Sequence, residues 1–385
     1  MKKYDSSVKK KVAIVGAGFY GLVFAEQLSQ FEEIDLQIFE KRSHIGGNAW
    51  SYNCKDTGIE VHKYGSHLFH TSNEVVWRYV NQFTKFTNYV HTVWVNLDSK
   101  IYPLPINLAT ISLFLGKQTS PKEALDWISI HNKVDANDPD SLEKKAIESI
   151  GRPLYESLIK GYTWKQWQTD PKQLPSDIIS RLPVRYNFNN RYFNDTYEGL
   201  PEKGYFGLFE KIMESVHAKV HLNCDFLESN NVSDYDLVVY TGPLDKYFGY
   251  VFGHLGWRTL DFEMETYDIE SYQGAPVINF ANLDVPFTRV HEFKHLHPER
   301  KNITKTVIAK EYSRFAEADD EPYYPINSRS DRDILTKYRT LAKRESNVIF
   351  GGRLGSYKYL DMHMAIASAL SDFRNKAKNL LGLGN

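Results

Sequence analysis

The run Gly16-Ala-Gly18-Phe-Tyr-Gly21 constrains this chain more than any other feature, because it stands between an apolar stretch at 11–15 and a helical pattern at 22–29. Strand, glycine turn and helix in that order open a βαβ unit when another strand follows, and residues 36–40 read as that strand. The first glycine permits the turn, the second lets backbone approach a pyrophosphate, and the third packs helix against strand. The amino end of the helix favours the negative charge. Glu40 follows Gly21 by 19 residues, where a carboxylate binds adenosine ribose hydroxyls and repels a 2′-phosphate. The setting predicts a dinucleotide site of Gly16, Gly18, Gly21 and Glu40, with NADP disfavoured.

The strand and helix that complete this unit lie at the far end of the chain, at 348–352 and 361–373. The expected fold class is therefore α/β, with a discontinuous Rossmann-like nucleotide domain at 1–75, 197–243 and 345–385. A helical lobe at 76–175 is inserted, with a helix start at Ser120-Pro121 and a break at 137–140. Short alternating stretches such as 277–280 and 306–310 predict an antiparallel-sheet lobe over 176–196 and 244–344. Asparagines crowd 187–194 and favour irregular backbone, so a mobile loop is expected near 176–196.

Charge narrows the ligand. Lys and Arg number 47 against 48 Asp and Glu, so no global field draws the chain to nucleic acid or an anionic membrane. An anionic ligand must be met by local arginines. The apolar run at 104–116 contains Pro105 and Asn107 and is shorter than the ~20 residues of a membrane span. Cys54 and Cys224 fall in no CxxC pattern, which fits a reducing compartment, and a cytoplasmic protein without membrane insertion is expected. His67 and His70 have the spacing of a metal pair, but no neighbouring cysteine or carboxylate completes the set, and no metal is expected.

Further segments add specificity. They are Tyr64-Gly-Ser-His67-Leu-Phe-His70-Thr71, Gly161-Tyr-Thr-Trp-Lys165-Gln-Trp167, Arg181-Leu-Pro-Val-Arg185 and Arg191-Tyr192-Phe193. Phe287-Thr-Arg289, Glu321-Pro-Tyr323-Tyr324-Pro-Ile-Asn327 and the stretch from Gly351 to Met362 follow in order. Together they resemble the bacterial UDP-galactopyranose mutase family. The loop carrying Lys41, Gly46, Gly47 and Asn48 resembles that of flavoproteins of the amine-oxidase and reductase type, which implies FAD. The resemblance implies interconversion of UDP-galactopyranose and UDP-galactofuranose through a flavin N5–sugar adduct, without net redox change. It also implies a reduced FAD, an electron donor that keeps it so, and a homodimer.

Residue roles follow from the same resemblance. Arg289 is the fixed diphosphate clamp and Arg181 the one on the mobile loop; an arginine fork holds phosphate oxygens bidentately. Tyr192, Tyr324 and Tyr359 donate phenolic hydrogen bonds, Tyr162 stacks on uracil beside Thr163, and the Trp167 indole and Asn279 reach phosphate or sugar. His67 and His70 lie against the flavin, His70 at the reacting face and His91 nearby. Arg353, Tyr359, Asp361 and Met362 contact the cofactor or the last helix. Arg185, Arg191 and Arg258 are candidates by position alone. Leu158 and Ile159 stand where some relatives have aromatics. A flavin oxidoreductase sharing the glycine loop is the chief rival, but leaves the arginines and tyrosines unexplained; a non-catalytic nucleotide-sugar binder is the other.

Overall fold

The computed structural model describes residues 9–135, 139–179, 183–300 and 303–383. Arg181 lies outside them. Five strands form a wholly parallel sheet in the order Val348–Phe350, Leu237–Tyr240, Lys10–Val15, Ile34–Phe39 and Lys219–His221. The central strand carries Val12, Ala13 and Ile14 in succession, all fully buried, as a strand covered on both faces requires. The helices Phe19–Leu28 and Met362–Asp372 pack together, joining the two ends of the chain. The fold class is thus α/β, with the parallel sheet assembled from segments far apart in sequence.

A second sheet has seven strands in the order Tyr324–Pro325, Trp257–Tyr267, Thr306–Phe315, Arg289–Glu292, Val277–Phe280, Val93–Leu97 and Lys100–Leu104. Two expectations are corrected here. The sheet is mixed, since Val277–Phe280 pairs parallel with Val93–Leu97. The stretch 76–175 is also not helical throughout: Val93–Leu97 and Lys100–Leu104 form a hairpin at the sheet edge. Val93 and Val95 alternate inward, while Asp98 and Ser99 take positive φ of 50° and 63° in the turn, a conformation such short polar residues tolerate.

The helices Leu108–Leu115, Pro121–His131 and Leu142–Ile150 follow. Ser120 caps the second, its hydroxyl accepting the Glu123 N–H while the Glu123 carboxylate accepts the Ser120 N–H. A π-turn, Tyr155–Ile159, leads into the helix Lys160–Trp167, placing Leu158 and Ile159 in the apolar core of this region. A short antiparallel pair, Phe69–Thr71 with Tyr197–Gly199, sets His70 beside the loop that precedes Tyr197.

Candidate functional site

The glycine turn is built as its spacing requires. Gly16 has a φ of 98°, and a Cβ on Gly21 would stand 2.0 Å from the Gly16 carbonyl oxygen, so helix and turn close only on glycine. Gly18 faces Gly47, whose added Cβ would lie 3.2 Å from the Gly18 Cα. From this cradle a cavity of about 730 Å³ runs along the carboxyl ends of the parallel strands, lined by Gly16, Gly18, Glu40, Gly47, His67 and Arg353 among others. Ligands of open α/β sheets bind at this position, outside the carboxyl ends of the strands.

Glu40 is buried, and its carboxylate accepts the Ala17 N–H at 2.8 Å and the Arg42 N–H at 2.9 Å. The group expected at a ribose therefore also fixes the turn. Arg42 donates to Asn48 Oδ1 at 2.8 Å and Glu321 at 2.7 Å, and Lys41 pairs with Glu321 at 3.0 Å. The paired-glycine loop is thereby tied to the segment before Tyr323 and Tyr324. Met362 lines the same cavity.

A second constellation gathers on the mixed sheet. Arg289 stands in register with Glu311 on the neighbouring strand, its Nε 3.1 Å from a Glu311 carboxylate oxygen. The Arg289 guanidinium also donates to the Tyr162 hydroxyl. His291 meets the other Glu311 oxygen at 3.0 Å, and the Ser66 hydroxyl lies 2.8 Å from His291 Nδ1. A continuous polar chain thus runs from the Tyr64-to-His67 loop to Arg289. Burial pushes the Glu311 carboxyl up, but the Arg289 charge and the His291 hydrogen bond outweigh it, and Glu311 ends below the usual carboxylate range. Burial works against the Arg289 charge too, and Glu311 reverses it, holding the guanidinium firmly protonated.

Tyrosines complete the constellation. Tyr324 and Tyr359 stack with centroids 5.7 Å apart, and the Arg353 guanidinium lies 4.9 Å from the Tyr359 ring centre. Arg353 is fixed by donating to the Leu360 carbonyl at 2.7 Å and the Tyr323 carbonyl at 3.2 Å. Burial pushes the Tyr324 hydroxyl up to about 12, so it remains a donor at neutral pH. Tyr192 packs edge-on against His91 and near enough to Arg289 to feel its charge. Asn279 stands in register with Arg289 and has a buried Oδ1 with no hydrogen-bond partner, an acceptor available to a ligand.

Thr163 is buried and Trp167 half-buried against the apolar core beside the π-turn. Lys165, on the same helix, donates to the Val285 carbonyl at 2.9 Å and the Phe287 carbonyl at 2.8 Å, fastening it to the segment that leads into the strand of Arg289. Burial draws its ammonium down to about 8.

Three further arginines brace the structure. Arg258 is fully buried, donating to the Gln166 carbonyl at 3.1 Å and the Ser313 hydroxyl at 3.0 Å. Arg185 bonds the Asn189 and Arg191 carbonyls and Asn194 from inside its own loop, and Arg191 pairs with Glu198 at 2.8 Å.

The histidines divide. His67 is drawn down to about 3 by burial and lies against the Gly65 carbonyl at 2.8 Å, so it is neutral where it lines the dinucleotide cavity. Burial likewise takes His91 to about 3. His70 instead meets Asp195 at 2.7 Å through Nδ1 and stacks on Phe193 with centroids 3.6 Å apart. Asp361 stands at the cap position of the last helix without making a side-chain cap bond.

Glu311, His291 and Asp195 did not stand out in the sequence. One signal points to Glu311: Val307, Ala309, Glu311 and Ser313 alternate inward on one strand, so an acid holds a core position.

The fold, the glycine-lined cavity and the arginine–tyrosine constellation define a Rossmann-type dinucleotide-binding protein with a second, cation- and phenol-rich region. Residues 14–83 match the NAD(P)-binding Rossmann-like domain, and residues 157–359 match the UDP-galactopyranose mutase family. A Klebsiella pneumoniae protein named probable UDP-galactopyranose mutase is 44% identical over 94% of this chain and 93% of its own. An Escherichia coli dTDP-fucopyranose mutase is 38% identical over 96% of this chain and 99% of its own. A solved structure of reduced UDP-galactopyranose mutase shares the fold with a TM-score of 0.77 at 15% identity, covering 98% of this chain and 95% of that one. The chain belongs to the UDP-galactopyranose mutase family. Among the described residues no helix is long and apolar enough to cross a membrane.

Proposed function

We infer that the protein interconverts UDP-galactopyranose and UDP-galactofuranose, with FAD in the glycine-lined cleft. The observation that carries this reading is Arg289, held charged by Glu311 and bonded to Tyr162, with Tyr324 near enough to Arg289, and Tyr359 near enough to Tyr162, to act on them electrostatically. A nucleoside diphosphate leaving an anomeric carbon develops charge on its phosphate, and a pre-positioned guanidinium stabilises that charge more in the transition state than in the ground state. Tyr324 and Tyr359, with Tyr192, orient the diphosphate through their hydroxyls without adding charge. Tyr162, with Thr163 and Trp167, holds the nucleoside end; Asn279 Oδ1 accepts a sugar hydroxyl. Arg181 supplies a second phosphate contact. His67, which is neutral, holds the cofactor together with His70, Arg353, Asp361 and Met362, with Lys41 and Asn48 at its nucleotide end.

Gly16, Gly18, Gly21 and Gly47 line the cavity with bare backbone, which fits the close approach that a dinucleotide's pyrophosphate needs. Bound in its reduced form and kept so by an external electron donor, FAD supplies the nucleophile for the anomeric carbon without net redox change. The protein's own contribution is to clamp the diphosphate, orient the sugar and keep water from the reacting carbon.

The test is conversion of UDP-galactofuranose by the purified protein, reduced with dithionite under anaerobic conditions and followed by chromatography. The 38% identity to a dTDP-fucopyranose mutase over nearly all of that relative's length makes dTDP-fucopyranose the second substrate to include. Turnover of the UDP-sugar supports the reading. Turnover of the dTDP-sugar alone reassigns the substrate, and a flavin spectrum with neither activity favours an oxidoreductase.

A further inference from the structure

The hairpin that follows the paired-glycine loop carries a buried acid and a buried imidazole with no part in either binding region. Ser51–Asn53 pairs antiparallel with Glu60–His62, and Glu60 and His62, two residues apart on one strand, point to the same side. Both are 1% exposed. A carboxylate and an imidazole withdrawn this far from water need partners within the protein, and theirs lead toward the cofactor cavity.

Glu60 is fixed through both of its oxygens. Oε1 accepts the Ser51 hydroxyl at 2.7 Å and the Tyr205 N–H at 3.1 Å, while Oε2 meets His297 at 2.9 Å and Arg300 at 3.2 Å. The His62 ring stands edge-on to Tyr205, with centroids 5.4 Å apart, and packs on Phe293. Its Nδ1 accepts the His67 N–H at 3.0 Å. An imidazole nitrogen that accepts carries no proton, so the ring proton sits on Nε2, 3.6 Å from Glu60 Oε1, where the carboxylate charge favours it. The His62 carbonyl also accepts the Gly65 N–H at 3.3 Å. One residue thus closes the turn through its backbone and ends it through its ring, at the His67 that lines the dinucleotide cavity. Ser66, just before, meets His291 Nδ1 at 2.8 Å, and His291 Nε2 meets Glu311 at 3.0 Å. Consecutive residues of the loop are therefore held by two imidazoles, each with a buried acid behind it.

We propose that His62 is a positioning residue of the cofactor site: its Nδ1 fixes the backbone of His67, and Glu60 keeps that nitrogen an acceptor. The inference rests on the reading that FAD occupies the glycine-lined cavity. His62 is not among the residues that line this cavity, so it acts through the loop. With the acceptor gone, the His67 N–H is left without its partner, a loss the loop relieves by turning toward another one. That turn carries the His67 imidazole away from its place against the cofactor.

The experiment compares substitutions of His62 in the FAD-loaded protein. His62→Leu removes the acceptor, and His62→Asn restores it, because Oδ1 is bonded directly to Cγ as Nδ1 is; His62→Gln places it one bond further out. The leucine and glutamine variants are expected to show displaced flavin absorption maxima and an altered flavin midpoint potential, and the asparagine variant to match wild type in both. A misplacement of about 1 Å at the cofactor lowers kcat on the order of 100-fold, with KM for UDP-galactofuranose within about threefold, since the phosphate-binding residues are untouched. His62→Asn should recover kcat to within about tenfold of wild type. Should the leucine variant misfold, the glutamine variant carries the comparison. A wild-type spectrum, potential and kcat in whichever of these folds overturns the proposal, as does an asparagine variant equally impaired. A merely structural role would lower the urea midpoint and leave the spectrum and potential of the folded protein unmoved. If the wild-type flavoprotein converts no nucleotide sugar, the proposed mutase activity fails alone, and the spectrum and potential still decide the role of His62.

Discussion

Removing the Glu311 carboxylate tests whether Arg289 owes its charge and position to that side chain. Glu311 is 2% exposed, 3.1 Å from Arg289 Nε, and also accepts the Thr288 hydroxyl at 3.2 Å. Breaking a buried ion pair from one side costs about 3–5 kcal/mol, because the remaining charge is left without compensation. The Arg289 side chain keeps 25% of its exposure, so water recovers part of that. For Glu311→Ala the expected loss of stability is therefore about 2–4 kcal/mol. Glu311→Gln keeps the volume and an acceptor but not the charge, and should lose about 1–2 kcal/mol. In catalysis the guanidinium, freed on one side, drifts from the phosphate it should meet, and a misplacement of about 1 Å costs on the order of 100-fold in rate. Urea denaturation of the FAD-loaded variants gives the first quantity and kcat/KM for UDP-galactofuranose the second. An alanine variant with an unchanged urea midpoint and turnover within about threefold of wild type would refute the argument, since neither the penalty for an orphaned buried charge nor the positioning loss would exist.

Gly21→Ala should yield a protein that retains no flavin, because the new Cβ would meet the Gly16 carbonyl at 2.0 Å and push the helix off the turn; visible absorbance after desalting measures this. Glu60 supports a pH prediction. It is buried, accepts the Ser51 hydroxyl at 2.7 Å and the Tyr205 N–H at 3.1 Å, and pairs with His297 at 2.9 Å and Arg300 at 3.2 Å. Burial raises its carboxyl, but the His297 and His62 hydrogen bonds reverse this and hold it far below the ordinary value. A depressed folded pKa stabilises the fold above the unfolded value of about 4.3 and loses that contribution as pH falls further. The stability advantage of wild type over Glu60→Gln should accordingly be constant near neutrality and shrink below about pH 4.3, read as the difference in urea midpoints. A constant difference down to acid pH would contradict the assignment.

What could be read from the sequence follows from how local each physical cause is. Gly16, Gly21 and Glu40 act through neighbours within one βαβ unit, so their spacing alone disclosed the turn, the helix start and the carboxylate. The hairpin at 93–104 was hidden because its strands are short and its sheet partner, Val277–Phe280, arrives much later in the chain. The same reason conceals the partners of the functional side chains. Arg289 is conspicuous within its motif, but the acid that keeps it charged is recognisable only from the inward phase of Thr306–Phe315, and His70 gives no hint of Asp195, 125 residues away. Such partners decide what the visible residues can do. An arginine with Glu311 behind it is a fixed, charged clamp, and a histidine with Asp195 behind it has one nitrogen committed and one free. A motif therefore names the group that meets the ligand, whereas its protonation and aim are set by residues the fold brings from elsewhere, and variants of Glu311 and Asp195 should change chemistry without removing any residue that contacts the substrate.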